Sequence, residues 1–146
     1  MTRLLALVAL LAVGLIAGCG DTKSKNDYVD AVNKAQNDFV ASINKMNSSG
    51  TANGATDTVT QLDGAIGKVV ADLKAVDPPG DVKSLHSQLV SELGKFRESV
   101  KSAGDSIATK DPEKIAKAQG TFGTEASKTA AEIGNTISQI NKKLQE

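Results

Sequence analysis

The chain has no tryptophan, and its 146 residues hold only four aromatic side chains, Tyr28, Phe39, Phe96 and Phe122. Stacking platforms for bases or sugar rings are hard to assemble from so few. Net charge is missing too: 17 basic residues balance 17 acidic ones, and without Arg3 the count is 16 against 17. A polyanion gains nothing from that balance, so nucleic acid is not an expected partner. One cysteine and one histidine, Cys19 and His86, complete the shortages. Nucleophilic or acid–base catalysis needs a nucleophile, a base and a group that orients the base, or two carboxylates in distinct environments. Di-iron bundles need inward glutamates and two Glu-x-x-His pairs, and covalent haem needs Cys-x-x-Cys-His. Neither pattern occurs, so no enzyme, no metal and no cofactor is expected.

What the sequence does contain begins with LLALVALLAVGLIAGCGD. Arg3 supplies a positive start, Leu4 to Ile16 is thirteen residues without a charge, and Ala17-Gly18 are small. That is the order of a secretory signal, and it is shorter than the roughly 20 residues of a bilayer-spanning helix. Ile16-Ala17-Gly18-Cys19 resembles the lipobox of bacterial lipoproteins, and the resemblance implies a diacylglycerol on the Cys19 thiol, which becomes the mature N-terminus. The expected organisation is a signal peptide over residues 1–18, a lipidated cysteine and polar tether over 19–25, and one domain over 26–146. Lipidation would hold the protein on the extracytoplasmic face of a bacterial cell membrane, since two acyl chains anchor stably where one does not. The same cysteine could form no disulfide within the chain.

Beyond the tether the apolar period is helical throughout. Val29, Val32, Gln36, Phe39, Ile43 and Met46 step by 3 and 4 along a first helix of about 25–48. Asn47 to Ala55, NSSGTANGA, breaks it with turn-forming residues; its Asn-Ser-Ser matches a glycosylation acceptor that has little meaning in a bacterium. Ala55, Val59, Leu62, Ile66, Val69, Leu73 and Val76 form the most regular seam, closed by Asp77-Pro78-Pro79-Gly80 because proline cannot donate a helical hydrogen bond. A third helix carries Val82, Leu85, Leu89, Leu93, Phe96, Val100, Ala103 and Ile107. Asp111-Pro112-Glu113 then reads as an N-cap, a first helical position and an acidic first turn. The fourth helix runs through Ile115, Phe122, Ala126, Ala130, Ile133, Ile137, Ile140 and Leu144. Four seams, no strand signal and short turns predict an all-α fold, an elongated antiparallel up-down-up-down four-helix bundle. The alternative is three helices with the first detached. The first two helices should be about 35 Å long, the third about 42 Å and the fourth about 50 Å.

Within that frame Met46 and His86 fall at opposite ends, roughly 30 Å apart, which removes a Met–His haem. His86, flanked by Leu85 and Leu89, reads as a half-buried side chain of the third helix or as a pH-sensitive contact. Glycines 64, 67, 94, 104, 120, 123 and 134 lie inside helices, at about 1 kcal/mol each relative to alanine, either as close-approach points or as sites of bending. None sits between a strand and a helix, as a phosphate loop requires. Leu73 to Pro79, LKAVDPP, with Leu85 to Val90, LHSQLV, resembles small helical lipoproteins of actinobacteria over about twenty residues. That resemblance implies an envelope protein and no particular site.

The functional expectation is a non-catalytic binding or structural module of the cell envelope, held to the membrane through Cys19; a carrier of a small apolar ligand or lipid between the helices is the alternative. The loop 47–55 and the turn 109–113 should meet at the end far from the membrane, where Ser49, Thr51, Lys110 and Asp111 are candidates for contact with an envelope protein.

Overall fold

A computed structural model describes residues 22–48 and 54–146. Helices span Thr22–Ser48 (α1), Ala55–Lys74 (α2), Lys83–Ala108 (α3) and Pro112–Gln145 (α4), with a 3₁₀ turn at Gly80–Val82. The order and the antiparallel pairing of neighbours match the four-helix bundle read from the seams. Cys19, Ser49 and Thr51 lie outside the described residues.

Helix lengths differ from expectation in an instructive way. At 1.5 Å per residue α1 is about 40 Å long and α2 about 30 Å, whereas equal lengths were expected. α1 gains its first turn from Thr22-Lys23-Ser24-Lys25, the end of the polar tether. These residues have no apolar face, but Lys23 pairs with Asp27 one turn on at 2.8 Å, and Lys25 reaches Asp81 of the 3₁₀ turn at 3.9 Å with only 14% of its side chain exposed. A lysine stem laid on the bundle thus extends the helix beyond its apolar pattern. α2 stops at Lys74, where the amide N–H groups of Ala75 and Val76 fold back onto Ala71, Asp72 and Leu73 ahead of the two prolines.

The restart of α4 follows the sequence closely. Asp111 is the N-cap, its Oδ1 accepting from the amides of Glu113 at 3.0 Å and Lys114 at 3.3 Å, with Pro112 in the first turn. Two orphan N–H groups are satisfied in this way.

One apolar core runs through all four helices. Tyr28, Val29, Phe39 and Ile43 of α1 pack with Leu62, Ile66, Val69 and Leu73 of α2, Leu89, Leu93, Phe96 and Val100 of α3, and Ile133, Ile137, Ile140 and Leu144 of α4; Val82 of the 3₁₀ turn is fully buried. α1 is therefore part of the bundle and not a detached helix. The core is uneven along its length. From Lys101 to Glu125 no residue is buried, and the seam residues Ala55, Val59, Ala103, Ile107, Ile115 and Phe122 are exposed or half-buried. Phe122 stacks on Phe96 at 6.3 Å between ring centres, and beyond that pair the far end is thinly packed.

The helices do not close evenly around the core. Packing is tightest between α3 and α4, then α2 and α3, then α1 and α2, while the backbones of α1 and α4 never pack as these neighbours do. Polar clamps follow the tighter contacts. Asp38 of α1 takes Lys34 at 2.9 Å and Lys68 of α2 at 3.0 Å. Arg97 of α3 grips Asp63 of α2 through Nε at 2.8 Å and Nη2 at 3.1 Å, which holds the Asp63 carboxyl below its usual range. Gly67 makes room for that guanidinium, because a Cβ there would sit 2.9 Å from Arg97 Cζ. At Gly104 a Cβ would come within 2.7 Å of Val59 Cγ1, so these two glycines serve close approach. Gly64, Gly94, Gly120 and Gly123 face open space.

Candidate functional site

The loosest side of the bundle is also its most apolar. Tyr28, Val32, Ala35, Gln36 and Phe39 on α1 spiral at helical spacing over Val69 and Leu73 of α2, Leu89 and Leu93 of α3, and Ile137 and Ile140 of α4, forming a cleft between α1 and α4. Among the described residues no charged side chain lines it. Free space in the closed cleft is about 30 Å³, the volume of one water molecule. α1 packs closely on α2 alone, and less tightly than the other neighbours pack, so it is the wall that could move at least cost.

A polar relay sits at one end of the cleft. His86, only 5% exposed, points Nε2 at the carbonyl oxygen of Leu73 at 3.0 Å and Nδ1 at the Tyr28 hydroxyl at 3.2 Å. A carbonyl can only accept, so Nε2 carries the hydrogen. Burial lowers the ring's pKa from its ordinary value despite the favourable bond to Leu73, which favours the neutral ring, and in that form Nδ1 accepts from Tyr28. Burial likewise pushes the Tyr28 phenol up to about 12. The rings meet edge-on, centres 5.6 Å apart. This relay joins α1, the end of α2 and the start of α3, and it makes His86 a core residue where a half-buried flank position was expected.

Two further polar atoms are buried without a partner, Asn141 Oδ1 and Glu92 Oε2. Asn141 follows Ile140 and stands one turn beyond Ile137, which places it at the edge of the α4 wall of the cleft. Glu92 belongs to the opposite flank, between α3 and α4. Its Oε1 accepts from Gln88 Nε2 at 2.8 Å and Thr136 Oγ1 at 3.1 Å, while Gln88 also donates to Thr136 at 3.0 Å. Among the described residues no three His, Cys, Asp or Glu side chains gather in a way that could hold a metal ion. Nor is any described helix long and apolar enough to cross a membrane.

Of the candidate contact residues at the far end, two are described. Lys110 is exposed and takes a left-handed backbone, φ 57°, just past the end of α3. Asp111 is engaged as the α4 cap. The approach of Gly104 to Val59 puts this turn at the same end as the start of α2, as the topology required. An open groove of about 410 Å³ lies there, between Ser102, Ala103, Ser106 and Thr109 of α3 and Lys114, Ala118, Thr121 and Phe122 of α4.

Sequence reasoning missed Tyr28, Asn141 and Glu92. For Glu92 a signal existed: it stands between Leu89 and Phe96 at the 3–4 spacing of a seam, one turn after Gln88. Tyr28, four residues before Val32, and Asn141, four after Ile137 and three before Leu144, are likewise in step with their seams, but each has an apolar neighbour, Val29 or Ile140, that takes its place in an apolar count. No protein-family model matches the chain, and comparison with curated proteins and with solved structures finds no match either.

Proposed function

We propose that this is a lipid-anchored protein of the extracytoplasmic face of a bacterial cell membrane whose helical domain binds rather than catalyses. Anchoring rests on the Cys19 lipobox. Only Gly20 and Asp21 separate Cys19 from Thr22, three chain steps with a reach of at most about 11 Å, so a lipid there would keep the start of α1 beside the headgroups. Lys25 pairs with Asp81, and Lys25 and Lys143 act on Glu146, so the 3₁₀ turn and the C-terminus share that end.

Of the two binding modes, the geometry favours the apolar ligand. The observation that carries it is the α1–α4 cleft, lined without a charge and walled on one side by the helix least tied to its neighbour across the bundle. An envelope protein docking at the far tip, through Ser49, Thr51, Lys110 and Asp111, is the second reading; the thin core and the open groove there support it. Crosslinkers at Ser49 and Lys110 should then capture the same neighbour, and capture from Lys142 or Lys83 alone would rule it out. Anchoring is tested by Cys19→Ser. The variant should lose acylation and leave the membrane fraction while keeping its helical circular dichroism; retention with membranes at the parent level would refute the anchor.

A further inference from the structure

The far end of the bundle has an opening of its own, between α3 and α4. Gln88 bridges these helices to Thr136 at 3.0 Å, and Ser99, eleven residues on, bridges to Glu125, eleven residues back, at 2.8 Å. Among the described residues no polar bond joins the two helices from there to the turn at Lys110. The groove of about 410 Å³ occupies that stretch, a volume in the range of small-ligand sites. Its floor is Ala103, Ala118 and Phe122, half-buried seam residues, and the two alanines leave open the space that larger side chains fill elsewhere along the core. We propose that this groove binds a short zwitterionic peptide, its ammonium group on Asp105 and its carboxylate on Lys117 and Lys114. The site is separate from the α1–α4 cleft and rests on neither binding mode given above.

The charge pattern selects the ligand. Asp105 stands on the α3 wall and Lys117 on the α4 wall, both exposed. The register of the two bridges brings them to within about half a turn of the same level. They nonetheless pair neither with each other nor with any other described residue. Lys114, held by Asp111 only at 3.9 Å, adds a second cation to the α4 wall. A ligand of one charge answers one wall, whereas a zwitterion answers both. The Ser102 and Thr121 hydroxyls also lack partners among the described residues, and each can donate and accept, as the N–H and C=O groups of a peptide require. From Ser99 to Thr109 the groove is about 15 Å long, which holds about four residues of extended chain. Two other polar ligands fit less well. A sugar stacks on an aromatic face, and the one aromatic ring here, Phe122, already stacks on Phe96. A lipid headgroup is out of reach, because Ser99 lies about 24 Å along α3 from Lys83, at the end that an anchor on Cys19 would hold to the membrane.

The test uses the full chain in phosphatidylcholine vesicles and three photoreactive alanine tetrapeptides, one with free termini, one N-acetylated and one C-amidated. Crosslinked residues are mapped by mass spectrometry. The free peptide should label Ala103 and Ala118, with each blocked form about tenfold weaker, the ratio that one hydrogen bond to a charged group carries. Asp105→Asn should remove the preference over the acetylated form alone, and Lys114→Gln with Lys117→Gln the preference over the amidated form alone. All three side chains are exposed, so the variants should keep the circular dichroism of the parent. Equal labelling by the three peptides would overturn the charge assignment. Labelling of the groove no stronger than that of the remaining surface would overturn the peptide site, while docking of a protein at the tip would still be decided by the crosslinkers at Ser49 and Lys110.

Discussion

Removing one oxygen atom tests the relay that ties α1 to the rest of the bundle. Tyr28→Phe keeps the ring, which is 99% buried, and deletes the hydroxyl that donates to His86 Nδ1. The loss comprises one hydrogen bond and an imidazole nitrogen left buried without a donor, together about 1–3 kcal/mol. For a domain of this size each kcal/mol lowers the melting temperature by about 3–6 °C. The effect should also depend on pH in a definite sense. Burial lowers the His86 pKa, so the folded protein holds the ring neutral where the unfolded chain, at about 6.5, has begun to protonate. Stability is complete above pH 6.5 and declines as the pH falls from there through the folded value. In Tyr28→Phe nothing donates to Nδ1, the folded ring takes a proton more readily, and the decline is shallower. Thermal melts followed by circular dichroism should therefore show the largest gap between parent and variant at pH 7.5 and a narrower one at pH 5.5. Asp38, Asp63 and Glu146, all held below their usual range by lysine or arginine partners, add a separate loss only below about pH 4. Equal melting of parent and variant at pH 7.5, or a gap that does not change with pH, would refute the relay.

Three other substitutions probe the packing. Ile66→Ala empties a site that is 1% exposed on α2 and should cost about 2–5 kcal/mol in urea unfolding; an unchanged midpoint would argue against the register of the bundle. Gly120→Ala, with nothing near its would-be Cβ, should gain up to about 1 kcal/mol, whereas Gly104→Ala should lose stability against Val59. The same sign at both positions would contradict the close-approach reading. Lys110→Gly relieves a left-handed backbone and should stabilise by about 1 kcal/mol; destabilisation would show that the lysine side chain holds the turn.

These outcomes separate what periodicity encodes from what it does not. A 3–4 seam fixes which face of a helix is buried, so Leu62, Ile66, Val69 and Leu73 were legible, and turn chemistry marked Pro78-Pro79 and the Asp111-Pro112 restart. Periodicity does not say which helix a flank meets. The bond from Tyr28 to His86 spans 58 residues of sequence, and neither residue carries a mark of the other. The looseness between α1 and α4, on which the cleft depends, is likewise a property of two distant helices and of neither pattern alone. The first turn of α1 escaped for the opposite reason: its support, Lys25 on Asp81, is polar and non-local, so an apolar count starts the helix too late in the chain. The thin far end could not be read because Ala103, Ile107 and Ile115 keep the period where few partners remain to bury them.

The central claim is that an apolar molecule occupies the cleft. Native mass spectrometry of the protein extracted from its own membranes in mild detergent tests it most directly. The account predicts a species heavier than the acylated chain by one small apolar molecule, lost when Ile137→Trp fills the cleft. Only the acylated chain, with no added mass in parent or variant, would contradict it.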